Sequence, residues 1–169
     1  MRQSELSDVP HVYKIDSESM VSSFAETSFA RNVVHHGEMF LVATGCGLPD
    51  RSEPVYGYIV GTPNEIYSHS SAYKGYVYVS RFAVKYKVRR RGIGKSLITV
   101  LENYMRSTGR YRGIILDVRA SNTASLTFFR NAGYLVSKKQ SRPEGYNTGV
   151  TQMDRYKVVM YKKFPEMRC

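Results

Sequence analysis

The sequence is poor in cysteine and lacks long apolar segments. Cys46 and Cys169 are its only cysteines, and neither has a histidine or second cysteine at metal-ligand spacing. Zinc is therefore not expected, and a disulfide is neither supported nor excluded. No apolar run approaches the ~20 residues that a membrane-spanning helix needs. Because the first twenty residues are polar and mixed in charge, unlike a signal peptide, we expect a cytoplasmic protein without a membrane anchor.

Acidic residues are also scarce. The chain has 25 lysines and arginines but only 14 aspartates and glutamates, which gives a net charge of +11. This excess is compatible with a nucleic acid, an anionic lipid or an acidic substrate as partner, and equally with a solvated basic surface. Much of it lies between Lys85 and Lys95 and in the last third of the chain. Association with the ribosome or with nucleic acid therefore stays open as a secondary role.

Composition and hydrophobic pattern together predict one α+β domain over residues 1–169. The apolar fraction of 42% is typical of a soluble globular protein, and the length suffices for one full core. Alternating and helical periodicities predict a mixed sheet with flanking helices. Strands are expected at 1–6, 39–44, 55–61, 76–84, 113–119, 133–138 and 156–162, and loops at 45–54, 62–75 and 141–154. A first helix is expected after Ser7 as N-cap, a second up to Gly37, a third from Ile93 to Gly109, and a fourth from Ser121 as N-cap to Asn131.

The most informative stretch runs from Tyr76 to Met105, where a β-rich run passes through a basic turn into a helix. Exposed N–H groups at a helix start, with the positive end of the helix dipole behind them, bind phosphate. Glycines at 92 and 94 let the backbone approach a ligand closely and adopt positive φ. Arg89, Arg90 and Arg91 add charge-assisted hydrogen bonds. The stretch therefore predicts an anion site.

Two common phosphate motifs do not match this turn. A P-loop needs glycine where Arg89 stands, and the dinucleotide fingerprint needs glycine where Leu97 stands. What remains is Arg-x-x-Gly-x-Gly directly after a strand. On this motif the sequence resembles the GNAT superfamily of acetyl-CoA-dependent N-acetyltransferases, in which the turn cradles the coenzyme A pyrophosphate.

A second block strengthens the resemblance. Residues 116–122 read Leu-Asp-Val-Arg-Ala-Ser-Asn, followed by Phe128-Phe129 and Gly133-Tyr134. This is similar to the ribosomal-protein alanine acetyltransferase (RimI-like) branch. The resemblance implies a GNAT fold: a mixed, mostly antiparallel sheet of six to seven strands, flanked by helices and splayed at the cofactor site. It also implies acetyl-CoA as cosubstrate, without a metal.

The resemblance assigns the cofactor residues. Backbone groups of Phe82, Ala83 and Val84 would receive the pantetheine arm, and one fixed N–H there would stabilise oxyanion charge at the thioester; an ordinary buried strand end is the alternative. The pyrophosphate would lie on Arg89, Arg90, Arg91, Gly92, Ile93, Gly94 and Lys95. Asn122 would touch the cofactor, or would be a purely local helix cap.

The candidate catalytic residues also follow from the family pattern. Asp117 takes the place of the glutamate proposed as general base in the RimI-like branch; simple pairing with Arg119 is the alternative. Phe129 stands where the family commonly has a tyrosine as general acid, so that role is not carried over, although packing against the pantetheine stays open. Tyr78 and Tyr146 are the candidates for shared acid–base work.

The acceptor is expected to be an amine, and its basicity helps to choose among amines. An α-amino group titrates near ~8 and a lysine near ~10.4, so their neutral fractions at pH 7 differ by a factor of several hundred. A site without the family acid suits an α-amino group, which favours transfer to protein N-termini. The alternatives are a small-amine or lysine side-chain acetyltransferase, and a lapsed module that binds coenzyme A or nucleic acid. Glu18 and Glu26 are further carboxylate candidates, and a homodimer stays open.

Overall fold

The computed structural model describes residues 1–20, 24–45, 55–64, 71–143 and 156–165. Its elements in chain order are β1 (Arg2–Gln3), α1 (Val9–Ser19), α2 (Glu26–His36), β2 (Phe40–Thr44), β3 (Val55–Pro63), β4 (Tyr76–Val84), α3 (Ile93–Ser107), β5 (Gly113–Arg119), α4 (Thr123–Asn131), β6 (Leu135–Pro143) and β7 (Tyr156–Lys163). Short 3-10 turns at Leu6–Asp8, Gly37–Met39, Ser71–Tyr73 and Tyr86–Val88 lie between them.

The seven strands form one sheet in the order β1-β2-β3-β4-β5-β7-β6. The pairs β1–β2, β2–β3, β5–β7 and β6–β7 are antiparallel, and β4–β5 is parallel. The parallel ladder runs from Tyr76 opposite Gly113 to Val79 opposite Leu116. Both strands continue beyond it, β4 to Val84 and β5 to Arg119. The predicted α+β class and the mostly antiparallel, splayed sheet are confirmed.

The chain forms two compact units, one of Met1–Thr62 with Ser80–Tyr104 and one of Pro63–Val79 with Met105–Cys169. A core in the first unit consists of Val9, Val12, Ile15, Phe29, Phe40, Val42, Val55, Tyr58, Val60 and Ala83. In the second unit Tyr76, Ile115 and Val159 pack together, with Tyr73, Tyr78 and Tyr161 against them. The single domain expected from the length stays a prediction.

Both predicted N-caps are wrong by a short distance. Ser7 lies inside the first 3-10 turn, and the carboxylate of Asp8 instead accepts the Glu5 N–H at 2.8 Å while it pairs with the Arg2 guanidinium at 2.7 Å. At α4 the cap is Asn122, whose side chain accepts the Ser125 N–H at 3.0 Å. Asp8 directly precedes α1, but its carboxylate makes no capping bond to that helix, whereas at α4 the Asn122 amide oxygen takes the capping position beside Ser121.

Several predicted strand ends also differ from the structure. Strand β1 has only two residues where six were expected, β3 continues to Pro63, and β6 continues to Pro143 through part of the expected loop. The extension of β6 has a partner, because Ser141 and Arg142 lie opposite Val158 and Lys157 of β7. Pairing with β7, the next strand of the chain, thus sets the length of β6, which the turn-forming residues of the segment do not reveal.

Candidate active site

The turn between β4 and α3 has the backbone shape of an anion site. Arg90 and Gly92 both have positive φ, 62° and 82°, and a Cβ at Gly92 would meet nothing within 4 Å. The first helical bond of α3 joins the Ser96 N–H to the Gly92 carbonyl at 2.9 Å. The preceding N–H groups, those of Ile93, Gly94 and Lys95, consequently have no carbonyl partner within the helix. They are donors at the positive end of the helix dipole.

The three arginines of this turn differ in what they contact. Arg89 donates through Nε to the Val84 carbonyl at 2.9 Å and through Nη2 to the Ser19 hydroxyl at 3.4 Å. It therefore ties the turn to the end of β4 and to the end of α1. Arg90 and Arg91 are exposed, as is Lys95. We call residues 89–95 the arginine turn; its backbone donors and exposed cations fit a diphosphate.

The end of β4 is held closely by its neighbours. The Val84 carbonyl accepts the Arg89 bond, and the Lys85 N–H donates to the Tyr56 carbonyl at 2.8 Å. A Cβ at Gly57 would lie 2.9 Å from the Ala83 carbonyl, so only glycine fits there without a shift. These contacts fix the backbone of the strand end, where we expect the thioester. Contact of Phe82, Ala83 and Val84 with a cofactor stays a prediction.

In the second unit the structure brings together two predicted catalytic residues. Tyr78 lies opposite Ile115 in the parallel ladder, and Asp117 follows two residues later on the same face. The Tyr78 hydroxyl donates to Asp117 Oδ2 at 3.4 Å across 39 positions of sequence. Both side chains are half-buried. We call them the Tyr78–Asp117 pair; the third candidate, Tyr146, lies outside the described residues.

The remaining predicted residues have structural surroundings of their own. Phe129 is only 4% exposed, and its ring meets those of Phe128 and Tyr134 edge-on at 5.1 and 5.3 Å. It is a core residue of α4 and carries no titratable proton. Asn122 caps α4 through its bond to the Ser125 N–H; cofactor contact of Asn122 and of Phe129 stays a prediction.

A buried carboxylate was missed by the sequence analysis. Asp16 is fully buried; its Oδ1 accepts the Tyr58 hydroxyl and its Oδ2 accepts the Phe24 N–H at 2.9 Å. Burial, and then the hydrogen bond to Asp16, raise the pKa of Tyr58. The predicted carboxylates Glu18 and Glu26 are exposed instead. The signal was available, since an aspartate four positions after a core valine lies on the apolar face of a helix.

Two classes of function find no support in the described residues. Across residues 1–20, 24–45, 55–64, 71–143 and 156–165, no group of three or more His, Cys, Asp or Glu side chains could hold a metal ion. In the same part of the chain, no helix has the length and apolar character to cross a membrane.

The sequence and the fold are similar to those of known acetyltransferases. An uncharacterized N-acetyltransferase of Methanocaldococcus jannaschii is 30% identical over 114 residues, which are 68% of this chain and 63% of that protein. Ard1 from Thermoplasma volcanium superposes with a TM-score of 0.77 at 22% identity, covering 98% of this chain and 97% of that one. The ribosomal-protein-S18-alanine N-acetyltransferase from Escherichia coli gives 0.68 at 20% identity, covering 99% and 96%. The acetyltransferase (GNAT) family matches residues 5–134, more than half of the sequence, and the chain therefore belongs to this family.

Proposed function

We propose that this protein transfers the acetyl group of acetyl-CoA to an amine, and that the amine is the α-amino group of a protein N-terminus. The observation that carries the first part is the arginine turn at the start of α3, in a chain of the GNAT family. The second part rests on the Tyr78–Asp117 pair and on the likeness in fold to an enzyme named for an alanine of a ribosomal protein.

The arginine turn supplies the binding groups. The N–H groups of Ile93, Gly94 and Lys95 are directed out of the helix start, and the exposed guanidinium groups of Arg90 and Arg91 add positive charge. Together these groups match the charge and the acceptor oxygens of a diphosphate. When bound, acetyl-CoA supplies the activated acetyl group as a thioester.

The end of β4 supplies orientation. Its backbone is fixed by Arg89 at Val84 and by the Tyr56 carbonyl at Lys85. A fixed N–H in this segment would stabilise the negative charge that develops on a carbonyl oxygen under attack. Because the strand is held before any ligand arrives, little reorganisation is needed at that moment.

The Tyr78–Asp117 pair supplies a route for the proton. An α-amino group near pKa ~8 is mostly protonated at pH 7 and must lose a proton before it attacks a carbonyl. The Asp117 carboxylate, hydrogen-bonded by the Tyr78 hydroxyl, is a base that can accept this proton through a water molecule. A lysine would cost about 3.5 kcal/mol more in deprotonation. The pair is therefore better matched to α-amino groups.

Phe129 supplies no proton to the leaving group. Its buried position among Phe128 and Tyr134 makes it part of the core. A thiol with an ordinary pKa near ~8.5 leaves readily as its anion. The absence of a tyrosine at this position is therefore compatible with turnover.

A peptide assay tests the proposal. The full chain is incubated with acetyl-CoA and peptides that differ in their first two residues, with all lysine side chains blocked, and products are measured by mass spectrometry. We expect an added acetyl group on the N-terminal nitrogen of a subset of peptides. Parallel incubations contain a polyamine, or a peptide with a blocked N-terminus and one free lysine. Turnover confined to these acceptors would refute the acceptor assignment, and no turnover with any amine would refute acetyl transfer.

A further inference from the structure

Arg81 is a charged side chain of β4 that the proposed mechanism does not use. Its guanidinium lies 3.7 Å from the centre of the Phe24 ring, and its Nε is buried without a hydrogen-bond partner. Within the part of the chain that the structure describes, it forms no ion pair. A guanidinium partly removed from water without a paired anion is costly. Arg81 is therefore a cationic site whose direct counter-ion comes from outside the described residues.

The buried carboxylate of the same unit does not fill this role. Asp16 directs its two oxygens at the Tyr58 hydroxyl and at the Phe24 N–H. Burial, the hydrogen bond and the charge of Asp16 raise the pKa of Tyr58, and the charge of Arg81 opposes them. The two oxygens of Asp16 are thus both engaged, by Tyr58 and by Phe24. We call Asp16, Phe24, Tyr58 and Arg81 the Asp16 cluster.

The position of Arg81 in the strand indicates which ligand it meets. It directly precedes Phe82–Val84, the segment where the acetyl group is expected. Two described residues on either side of the α1–α2 connection lie near this part of the chain, since Phe24 covers Arg81 and Ser19 contacts Arg89. An amine that reaches an acetyl group held at 82–84 brings its substituents close to the preceding residue.

We propose that Arg81 binds a carboxylate carried by the acceptor, so that this protein prefers amines with an acidic group near the nitrogen. The inference rests on the proposed acetyl transfer. Stacking on Phe24 leaves the in-plane N–H donors of a guanidinium for bidentate pairing with a carboxylate. The carboxylate belongs either to an acidic first or second residue of a peptide or to a free acidic amino acid.

Matched acceptors separate these sources and test the role of Arg81. We compare kcat and KM for three pairs of acceptors. Two pairs are lysine-free peptides that carry Asp or Asn at the first residue or at the second residue, and the third pair is free aspartate and free asparagine. The enzymes are the unmodified chain, Arg81→Gln, Arg81→Lys, and Arg110→Gln as an exposed arginine with the same charge loss. Coenzyme A affinity and circular dichroism check that each variant is folded.

We expect kcat/KM of the unmodified chain to favour Asp over Asn by about 10- to 100-fold in at least one pair, mainly through KM. Arg81→Gln is expected to bring this ratio near one. Arg81→Lys is expected to retain part of the preference for Asp, and Arg110→Gln is expected to retain all of it. A ratio near one in the unmodified chain for all three pairs overturns the inference, even if Arg81→Gln does not fold. An unchanged ratio in Arg81→Gln overturns the inference too.

Failure of the proposed acetyl transfer gives a different result from failure of the proposed role of Arg81. Acetylation of Asn peptides without a preference for Asp supports acetyl transfer and refutes the role of Arg81. If no acceptor is acetylated, the role of Arg81 is still tested by calorimetry, which measures binding of the same Asp and Asn peptides to the protein with coenzyme A. Tighter binding of the Asp peptide that is lost in Arg81→Gln supports the role, and equal binding refutes it.

Discussion

The arginine turn and the Tyr78–Asp117 pair differ in how the sequence brings their polar groups together. In the turn, the interacting groups are close in the chain, as in the bond from Arg89 to the carbonyl of Val84 five positions earlier. In the pair, the hydroxyl and the carboxylate are 39 positions apart and meet only because β4 and β5 are parallel neighbours. A binding turn can thus be encoded by one segment, whereas a reactive pair depends on the topology of the sheet.

The largest expected effect is a fall in kcat that leaves the affinity for coenzyme A unchanged. Asp117→Asn should lower kcat by about 10²- to 10⁴-fold, because general base catalysis typically contributes that much. The affinity for coenzyme A, which depends on the arginine turn, should stay unchanged in calorimetry. Tyr78→Phe should reduce kcat less, since the carboxylate remains. Tyr13→Phe, an exposed tyrosine of α1, is the matched control; equal rates in Asp117→Asn and the unmodified chain would remove the pair from the mechanism.

The bond between Tyr58 and Asp16 also joins residues that are distant in the sequence, and it tests whether every such contact serves catalysis. Asp16→Ala removes the acceptor of the Tyr58 hydroxyl and of the Phe24 N–H, which are 42 and 8 positions away. Leaving two buried donors unsatisfied should lower the free energy of unfolding by about 2–4 kcal/mol. Urea denaturation followed by circular dichroism measures this loss. A loss as small as that of an exposed substitution would show that the Asp16 bonds contribute little to the fold.

The arginine turn should respond in binding rather than in turnover. The double variant Arg90→Ala, Arg91→Ala should weaken coenzyme A by about 30- to 900-fold, because two charge-assisted contacts to phosphate at about 1–2 kcal/mol each are lost. The maximal rate at saturating acetyl-CoA should be nearly unchanged. Arg106→Ala with Arg110→Ala removes two exposed arginines outside the turn and should leave the affinity as it was. A fall in kcat at unchanged affinity would contradict the assignment of the turn.

The smallest expected effect is a dependence of stability on alkaline pH. Burial and the bond to Asp16 raise the pKa of Tyr58 above its ordinary value. The folded chain then retains a proton that the unfolded chain loses above pH ~10, so stability should be complete below that pH and fall above it, by at most about 1.4 kcal/mol per pH unit. Tyr58→Phe should make this decline less steep. Identical slopes for both chains between pH 9 and 11 would refute the link to Tyr58.

Much of the fold follows from patterns within short segments. Strands β4 and β5 were predicted at their observed bounds, and the apolar, β-branched and aromatic residues concentrated in them are sufficient for that. Helix α3 begins at Ile93 as predicted, since a glycine with positive φ precedes it. The end of β6 was predicted too early because pairing with β7, rather than the composition of the segment, extends the strand to Pro143. Caps were misplaced because neighbouring polar residues compete for one position.

The candidate site likewise has one part that a short segment of sequence predicts and another that depends on tertiary contacts. The arginine turn could be read from one motif, and the exposure of Arg90 and Arg91 agrees with it, although Arg89 turned out to hold the backbone. The Tyr78–Asp117 pair was reached only through resemblance to a family. Helical spacing places Asp16 on the buried face of α1, but its partners Tyr58 and Phe24 are set by packing in the core. Periodicity can thus indicate that a polar group is buried, but it does not reveal which groups that residue bonds.

The measurement that tests the central claim most directly compares two forms of one peptide. One form has a free N-terminal amine and acetylated lysines, and the other has a blocked N-terminus and one free lysine. With acetyl-CoA and the full chain, intact-mass spectrometry should show acetylation of the first form at least about 100-fold faster, as the difference in amine basicity requires. Equal rates, or acetylation of the lysine form alone, would contradict N-terminal acetyl transfer.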